Sequence, residues 1–519
     1  MSILSRVLAT NAALLPDHPF IISDDGVLTY SAFAARTAQL AHVLAAEGVK
    51  PGDRVGLYLP SKAMMGIAFW ACQRLGAIPA PVSAMLRHDE LRKIIAHTGM
   101  KALIADEVTW PYFSQIRSEF PELGSCLVAG PGGDLDARMA KAPETFTDAS
   151  PDPSDIACLF FSSGTTGMPK GIAQSHFAIL STLRDMFVSH RNQFGREVYL
   201  CAVPLFTNFG LNVTFNLCLF GGGTIVLHER WDTAKVLADI SRYRVSYFGG
   251  TPTMYVYLVN DHDASPTGGA HDLTSLWICT TGGAPVPQPV IERFEALSGA
   301  RVTQVYGSTE TCGQNVMEPT LGLRKRGSAG LAVGSSRITV VDDQDRPLAP
   351  GEIGEVIIGG DCLASGYWQD EAATSAAFGP LGWRSGDLGY LDDDGYLFIV
   401  DRKKDVIIAG GHNIYPLEVE TLLYRYPGVG ICAVVGLPDA SKGEIPVAVV
   451  VPAEGVTLDA EALRQWCRDH LAAYKVPRRI EFIAQMPVEA AKIRKRDLVA
   501  ALKADGLDRY RKTPIGSGA

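Results

Sequence analysis

The sequence has ten cysteines but no C-x-x-C pair and no histidine cluster beside any of them. That excludes the usual zinc spacings and a disulfide framework, and it favours a reducing, cytoplasmic setting. A strong excess of one charge is also missing. The net charge is −9, from 47 basic and 56 acidic residues, so there is no footprint for nucleic acid. The N-terminus, MSILSRVLATNAALLPDHP, carries one arginine and a short amphipathic run but no long apolar core with a cleavage site. No secretory signal is expected. Residues 198–227 lack Asp, Glu, Lys and Arg, yet they hold Pro204, three asparagines and a run of glycines. Such a stretch suits a buried helix and turn better than a lipid-facing span. There is no short-period repeat and no low-complexity tract.

What is present is the composition of a folded protein, 47% hydrophobic and 20% charged, over 519 residues. One core does not serve a chain of that length, so two or more domains are expected. Val55–Leu59, Leu103–Ala105 and Cys126–Ala129 read as short strands alternating with helical segments such as Met64–Leu75. The rhythm returns at Thr224–Leu227, Trp231–Tyr243 and Val245–Phe248. This is layered α/β architecture with parallel pairing. Between Ile338 and Val400 the pattern turns β-rich with Asp/Gly/Pro turns, which reads as an antiparallel subdomain. After Asp401-Arg402-Lys403-Lys404-Asp405 a compact α+β unit begins. The expected fold is therefore α/β, with a large N-terminal domain over 1–402 and a small mobile α+β domain over 403–519. The latter holds 17 basic and 14 acidic residues, against 30 and 42 in the rest. A basic piece beside an acidic body hints at a polyanionic small ligand near the join, although from charge alone ordinary surface variation is the better account.

The most informative stretch is Phe160-Phe161-Ser162-Ser163-Gly164-Thr165-Thr166-Gly167-Met168-Pro169-Lys170-Gly171. An apolar strand runs straight into hydroxyls and glycines that end in lysine. Glycine lets the backbone approach closely, and successive N–H groups make a concave anion site. Hydroxyls add donors and Lys170 adds charge. The loop suits phosphate, but Pro169 and the missing Gly-Lys-Ser/Thr frame exclude a Walker A loop.

With this loop the chain resembles the adenylate-forming superfamily of acyl-CoA synthetases, luciferases and peptide-synthetase adenylation domains. Further motifs follow in family order: Gly282-Gly283-Ala284-Pro285, Tyr306-Gly307-Ser308-Thr309-Glu310, Trp383-Arg384-Ser385-Gly386-Asp387, Asp401-Arg402 and Gly410-Gly411-His412-Asn413. The resemblance implies an ATP- and Mg²⁺-dependent carboxylic acid:CoA ligase. A carboxylate is a poor electrophile, and attack on the α-phosphate converts it to a mixed anhydride with AMP. That step needs cations and oriented donors on the phosphates.

The implied roles are these. Ser162, Ser163, Gly164, Thr165, Thr166, Gly167 and Lys170 hold phosphate, with Thr309 as a further donor, and Thr166 is also placed among the catalytic groups. Glu310 is the metal ligand and a catalytic group. Gly283, Ala284, Pro285, Tyr306 and Gly307 line the adenine side, Tyr306 with a flat ring. Asp387 and Arg402 serve the ribose. Lys492 is the catalytic lysine of the C-terminal domain, although Pro487–Arg496 lacks the Thr and Gly of the family's lysine loop and is one residue shorter. Glu489 stands there as a candidate partner for Lys492.

Lys404 is the implied hinge on which the small domain turns between half-reactions. Gly410, Gly411 and His412 then line the tunnel for coenzyme A. The acyl pocket is drawn from Phe206, Thr207, Asn208, Phe209, Gly250, Thr253, Gly282 and Cys312. Many relatives carry histidine where Thr207 stands, and some aryl-acid activators carry Asn208. The expected substrate is an aromatic or medium-size acid. A carrier protein or an amine as acceptor, a homodimer, and an impaired nucleotide-binding relative stay open. No nucleic acid and no transmembrane segment are expected.

Overall fold

The computed structural model describes residues 4–162, 170–264, 271–283, 288–453, 455–489, 492–504 and 506–511. Among them a nine-stranded sheet forms the body. Its centre is parallel, in the order Arg301–Ser308, Ile278–Gly282, Tyr247–Gly250, Val198–Cys201, Thr224–Leu227 and Pro19–Ser23. Antiparallel strands close both edges. A second sheet is wholly parallel, in the order Ile78–Pro81, Arg54–Tyr58, Ala102–Asp106 and Ser125–Ala129. Parallel strands buried on both faces need apolar side chains throughout, and Ala102–Asp106 is buried at every position.

The charge-free stretch resolves into strand Val198–Cys201, a π-helix at Phe209–Asn216, a short helix at Leu217–Phe220 and strand Thr224–Leu227. It is packed in the core, as expected. No helix among the described residues is long and apolar enough to cross a membrane.

Residues 337–402 form the expected antiparallel sheet, with strands Arg337–Val341, Gly354–Gly359, Gly382–Leu391 and Leu397–Arg402. The C-terminal unit builds its own sheet around the long hairpin Val429–Asp439 and Gly443–Pro452. One face of it packs helices Pro416–Leu423 and Ala460–His470, and the other packs Lys495–Lys503. The unit beyond the Lys403–Asp405 turn thus has hydrophobic cores of its own.

The strand that enters the phosphate loop, Ile156–Ser162, pairs antiparallel with Lys170–Ser175 and not with the parallel sheets. Ser175 then caps helix His176–Ser189, its hydroxyl accepting from the Ala178 N–H at 3.1 Å. Such a cap contributes about 1 kcal/mol. Hairpin and cap together fix where residues 170–175 stand.

Candidate active site

Strand Arg301–Ser308 ends in a β-bulge between Tyr306 and Gly307. Bulges re-aim side chains next to sites. Here the Tyr306 hydroxyl reaches into the antiparallel subdomain and donates to Asp387 Oδ2 at 2.6 Å. Asp387 follows Gly386, whose φ of +68° is a left-handed conformation natural to glycine. On the neighbouring strand Arg402 is its direct cross-strand partner, and Arg402 Nε lies 3.1 Å from Asp387 Oδ1. Asp387 is 6% exposed. Burial and the Asp387 charge together push the Tyr306 phenol well above its ordinary value. The trio places a buried carboxylate beside an aromatic ring, with lone pairs left for further hydroxyl donors.

The Thr309–Thr311 turn comes next. Its ends are tied reciprocally, the Ser308 N–H donating to Thr311 Oγ1 at 3.1 Å and the Thr311 hydroxyl to the Ser308 carbonyl at 3.2 Å. Glu310 accepts from the Ser308 hydroxyl and from the Tyr367 hydroxyl at 3.2 Å. Lys170 Nζ sits 4.6 Å above the Tyr367 ring. Burial, followed by the Glu310 charge, pushes the Tyr367 phenol up to about 12. Glu310, Tyr367 and Lys170 thus converge at the start of strand Lys170–Ser175. Glu310 is a hard oxygen donor held by two neutral hydroxyls. That donor suits Mg²⁺, which takes one or two carboxylates and completes its shell with substrate phosphates and water.

Ser163, Gly164, Thr165, Thr166, Gly167, Ala284 and Pro285 lie outside the described residues, and of Ser162 only the backbone is described. Gly283 is exposed with φ +84°. At Gly307 a Cβ would stand 1.9 Å from the Gly313 carbonyl oxygen, so only glycine fits between these strands.

On the acyl side the residues divide. The Thr207 hydroxyl donates to the Pro204 carbonyl at 2.7 Å and accepts from the Gly210 N–H at 3.0 Å. It caps the π-helix locally. Asn208 is buried, and its Oδ1 accepts from Gln174 Nε2 at 3.1 Å and Asn212 Nδ2 at 2.8 Å. Phe209 lies beside Gly249, where an added Cβ would meet its ring at 3.4 Å. Gly250 turns the other way, toward Phe248 and Tyr255. Strand alternation therefore gives the Phe209 side to Gly249. Phe206 packs against the core, and Thr253 is half-buried in helix Pro252–Ala264. Gly282 fits so closely that a Cβ would stand 2.6 Å from the Val305 carbonyl oxygen. Cys312 is buried at the end of the Glu310 turn in a left-handed conformation, φ +58°. Burial raises its thiol well above the ordinary value.

In the C-terminal domain Lys404 is exposed within the Lys403–Asp405 turn. Gly410 and His412 line a groove of about 230 Å³ with Lys442, Tyr474 and Arg478. The His412 ring stacks on Tyr474, with centroids 4.7 Å apart, and Gly411 is exposed at φ +81°. Lys492 and Glu489 are direct partners in a two-strand hairpin, although their side chains lie outside what is described. Across the Lys403–Asp405 turn, buried Asp401 accepts the Leu417 N–H at 2.8 Å. Its carboxylate sits at the start of helix Pro416–Leu423, where negative charge is favoured.

Sequence reasoning missed Tyr367 and Gln174. Tyr367 lies between recognisable motifs. Gln174 sits in a strand whose other residues are ordinary core.

Residues 8–368 match the family model of the AMP-binding enzyme, and residues 418–492 match that of the AMP-binding enzyme C-terminal domain. A feruloyl-CoA synthase from Amycolatopsis sp is 36% identical over 89% of this chain and 91% of its own. The anthranilate CoA ligase AuaEII, solved with anthranoyl-AMP, superposes with a TM-score of 0.91 at 26% identity, over 97% of this chain and 98% of that one. The o-succinylbenzoate coenzyme A synthetase of Bacillus subtilis, solved with ATP and magnesium ion, gives 0.83 at 30% identity, covering 95% and 99%. With both modules matched in order around the Tyr306–Asp387–Arg402 trio, the chain belongs to the AMP-binding enzymes, as an AMP-forming acid–CoA ligase of the adenylate-forming superfamily.

Proposed function

We propose that residues 1–402 bind ATP, Mg²⁺ and an aromatic carboxylic acid, and that residues 403–519 supply Lys492 for the first half-reaction and the coenzyme A groove for the second. The observation that carries the reading is the convergence of Asp387, Tyr306 and Arg402 with Glu310, Tyr367 and Lys170 around one strand end.

In the first step an acid oxygen attacks the α-phosphorus of ATP, the bond to pyrophosphate breaks, and an acyl-adenylate forms. Asp387 accepts from the ribose hydroxyls and Tyr306 packs its ring beside the adenine. Lys170 and the phosphate-loop residues 162–167 hold the phosphates, and Thr309 adds a donor. Magnesium, when bound at Glu310, supplies positive charge to the phosphate oxygens as pyrophosphate departs. Lys492 bridges acid and nucleotide. In the second step the coenzyme A thiol attacks the acyl carbon and AMP leaves with the bonding electrons. The groove around Gly410, His412, Lys442 and Arg478 is cationic and carries a stacked aromatic pair, which suits a nucleotide with phosphates. The domain turns about Lys404 between the steps.

The acid is read as aromatic from Phe206 and Phe209 and from Asn208, whose carbonyl is occupied within the protein. Among the described residues its NH₂ has no hydrogen-bond partner. An acid bearing a ring hydroxyl or alkoxyl acceptor suits that donor. The feruloyl and anthranoyl relatives act on aromatic acids by name. A cytoplasmic setting fits ten free, mostly buried thiols.

The test is acid-dependent pyrophosphate release over a panel of hydroxybenzoic, cinnamic and medium-chain acids. Product mass is read with coenzyme A, a carrier protein or an amine as acceptor. No release with any acid, alongside intact ATP binding, refutes the ligase reading.

A further inference from the structure

The side chain of Gln174 is completely buried, and every polar position of its amide is used. Its NH₂ donates to the Thr309 carbonyl at 2.7 Å and to Asn208 Oδ1 at 3.1 Å. Its carbonyl accepts from Asn212 Nδ2 at 2.8 Å. The orientation is forced, since a flipped amide would set oxygen against two oxygens. The network runs on. Asn212 Nδ2 also reaches Asn208 Oδ1 at 2.8 Å, Asn216 Nδ2 donates to Asn212 Oδ1 at 2.8 Å, and Trp70 Nε1 donates to Asn216 Oδ1 at 3.1 Å. Asparagines at 208, 212 and 216 recur every four residues, so they form one polar stripe on the buried π-helix and its flanks. π-Helical turns are frequent at functional sites.

The stripe has two different ends. The Trp70 end closes in the core, away from the nucleotide residues. The Gln174 end grips the carbonyl that opens the Thr309–Thr311 turn, and that turn carries Glu310. The same amide fixes Asn208 at the lip of the acyl side. Gln174 follows the phosphate loop by only four residues, on the strand that begins with Lys170. One side chain therefore touches the acid-facing asparagine and the backbone of the metal-facing turn.

We infer that Gln174 is a positioning residue that ties the acyl lip to the Glu310 turn, so that acid and Mg²⁺·ATP are aligned by one amide. The inference rests on the ligase reading above. Gln174 does not touch substrate in this arrangement. It sets the register between two groups that do. Neither methionine nor glutamate reproduces the pair of donors, since methionine has none and a carboxylate is acceptor-only.

The experiment compares wild type with Gln174→Met, Gln174→Glu and, as a remote control in the same network, Trp70→Phe. Three quantities are read: the Mg²⁺ concentration for half-maximal ATP binding by calorimetry without acid, the KM for acid in pyrophosphate release, and the rate of thioester formation from supplied acyl-adenylate. Losing one buried hydrogen bond shifts an equilibrium by about tenfold. Both Gln174 variants should raise the Mg²⁺ requirement and the acid KM together by about that factor, with the thioester step within about twofold of wild type. Trp70→Phe should lower thermal stability and leave the Mg²⁺ requirement and acid KM in place. The inference is overturned if the folded Gln174 variants keep wild-type Mg²⁺ and acid constants, or if Trp70→Phe moves them equally. If one Gln174 variant fails to fold, the other decides. A wild type that binds ATP but activates no acid would instead remove the ligase reading, which separates the two failures.

Discussion

Asp387→Asn isolates the ribose interaction. The substitution keeps the shape of the side chain and removes its charge and one acceptor oxygen. In the wild type Oδ2 accepts from Tyr306 at 2.6 Å and Oδ1 faces Arg402 Nε at 3.1 Å. The variant's carbonyl can keep the Tyr306 bond. Its NH₂ then turns toward Arg402, which is half-exposed and free to swing into water. The fold should survive, because no buried charge is stranded. ATP binding should not. Hydrogen bonds to a charged group contribute about 1.5–3 kcal/mol and neutral ones about 1. Weakening or losing two ribose contacts therefore costs about 2–3 kcal/mol, roughly 50-fold in Kd. Calorimetry with ATP and with 2′,3′-dideoxy-ATP forms a cycle between protein and ligand. Wild type should bind the dideoxy analogue about 50-fold more weakly than ATP on the same estimate. The variant should bind the two almost equally. If Asp387→Asn weakens both ligands by the same factor, the carboxylate acts through the fold and not on the ribose, and the assignment is wrong.

Three further outcomes are expected. Lys492→Ala should abolish acid-dependent pyrophosphate release while retaining most thioester formation from supplied acyl-adenylate, measured as separate half-reactions. Gly307→Ala should destabilise the body by on the order of 3 kcal/mol, read as a lowered urea midpoint, because its Cβ meets a backbone oxygen at 1.9 Å that no rotamer change relieves. His190 and His176 are buried and held neutral, burial pulling each down to about 4. The unfolded chain takes up their protons near 6.5, so stability present above that pH drains away as pH falls toward 4. The loss is about 2 kcal/mol per histidine at pH 5. Urea titrations at pH 7 and 5 test it, and His190→Gln should flatten the slope.

Much of this molecule is legible in its sequence, and the illegible part has physical causes. The parallel strands Arg54–Tyr58, Ala102–Asp106 and Ser125–Ala129 announce themselves by short apolar runs between turn residues. Asp387 and Glu310 stand out because their neighbours are glycines and hydroxyls, and Arg402 because it lies in the charged run Asp401–Asp405. Pairing partners are another matter. Nothing local says that Ile156–Ser162 turns back on Lys170–Ser175, because antiparallel return through a glycine loop looks the same in sequence as a strand leaving for a parallel neighbour. The facing of Gly249 and Gly250 is hidden for a related reason, since two adjacent glycines carry no side chain to mark which one turns toward Phe209. Tyr367 reaches Glu310 across 57 positions of chain, and Gln174 reaches Thr309 across 135. Such contacts exist only once the sheets have packed. The asparagine stripe at 208, 212 and 216 is the exception, since its four-residue period is visible beforehand and asks for buried amide partners.

The cysteines bear on chemistry as well as on compartment. An acyl-adenylate is a potent acylating agent, and a thiolate is a nucleophile it can acylate. Cys312 stands at the end of the Glu310 turn. It and eight others are buried, and the tenth, Cys126, is half-buried. The nucleophile is the thiolate and not the thiol. Burial pushes the thiol pKa up at all ten and so disfavours the thiolate. Buried and protonated, the ten thiols are poor nucleophiles beside the exposed thiol of coenzyme A.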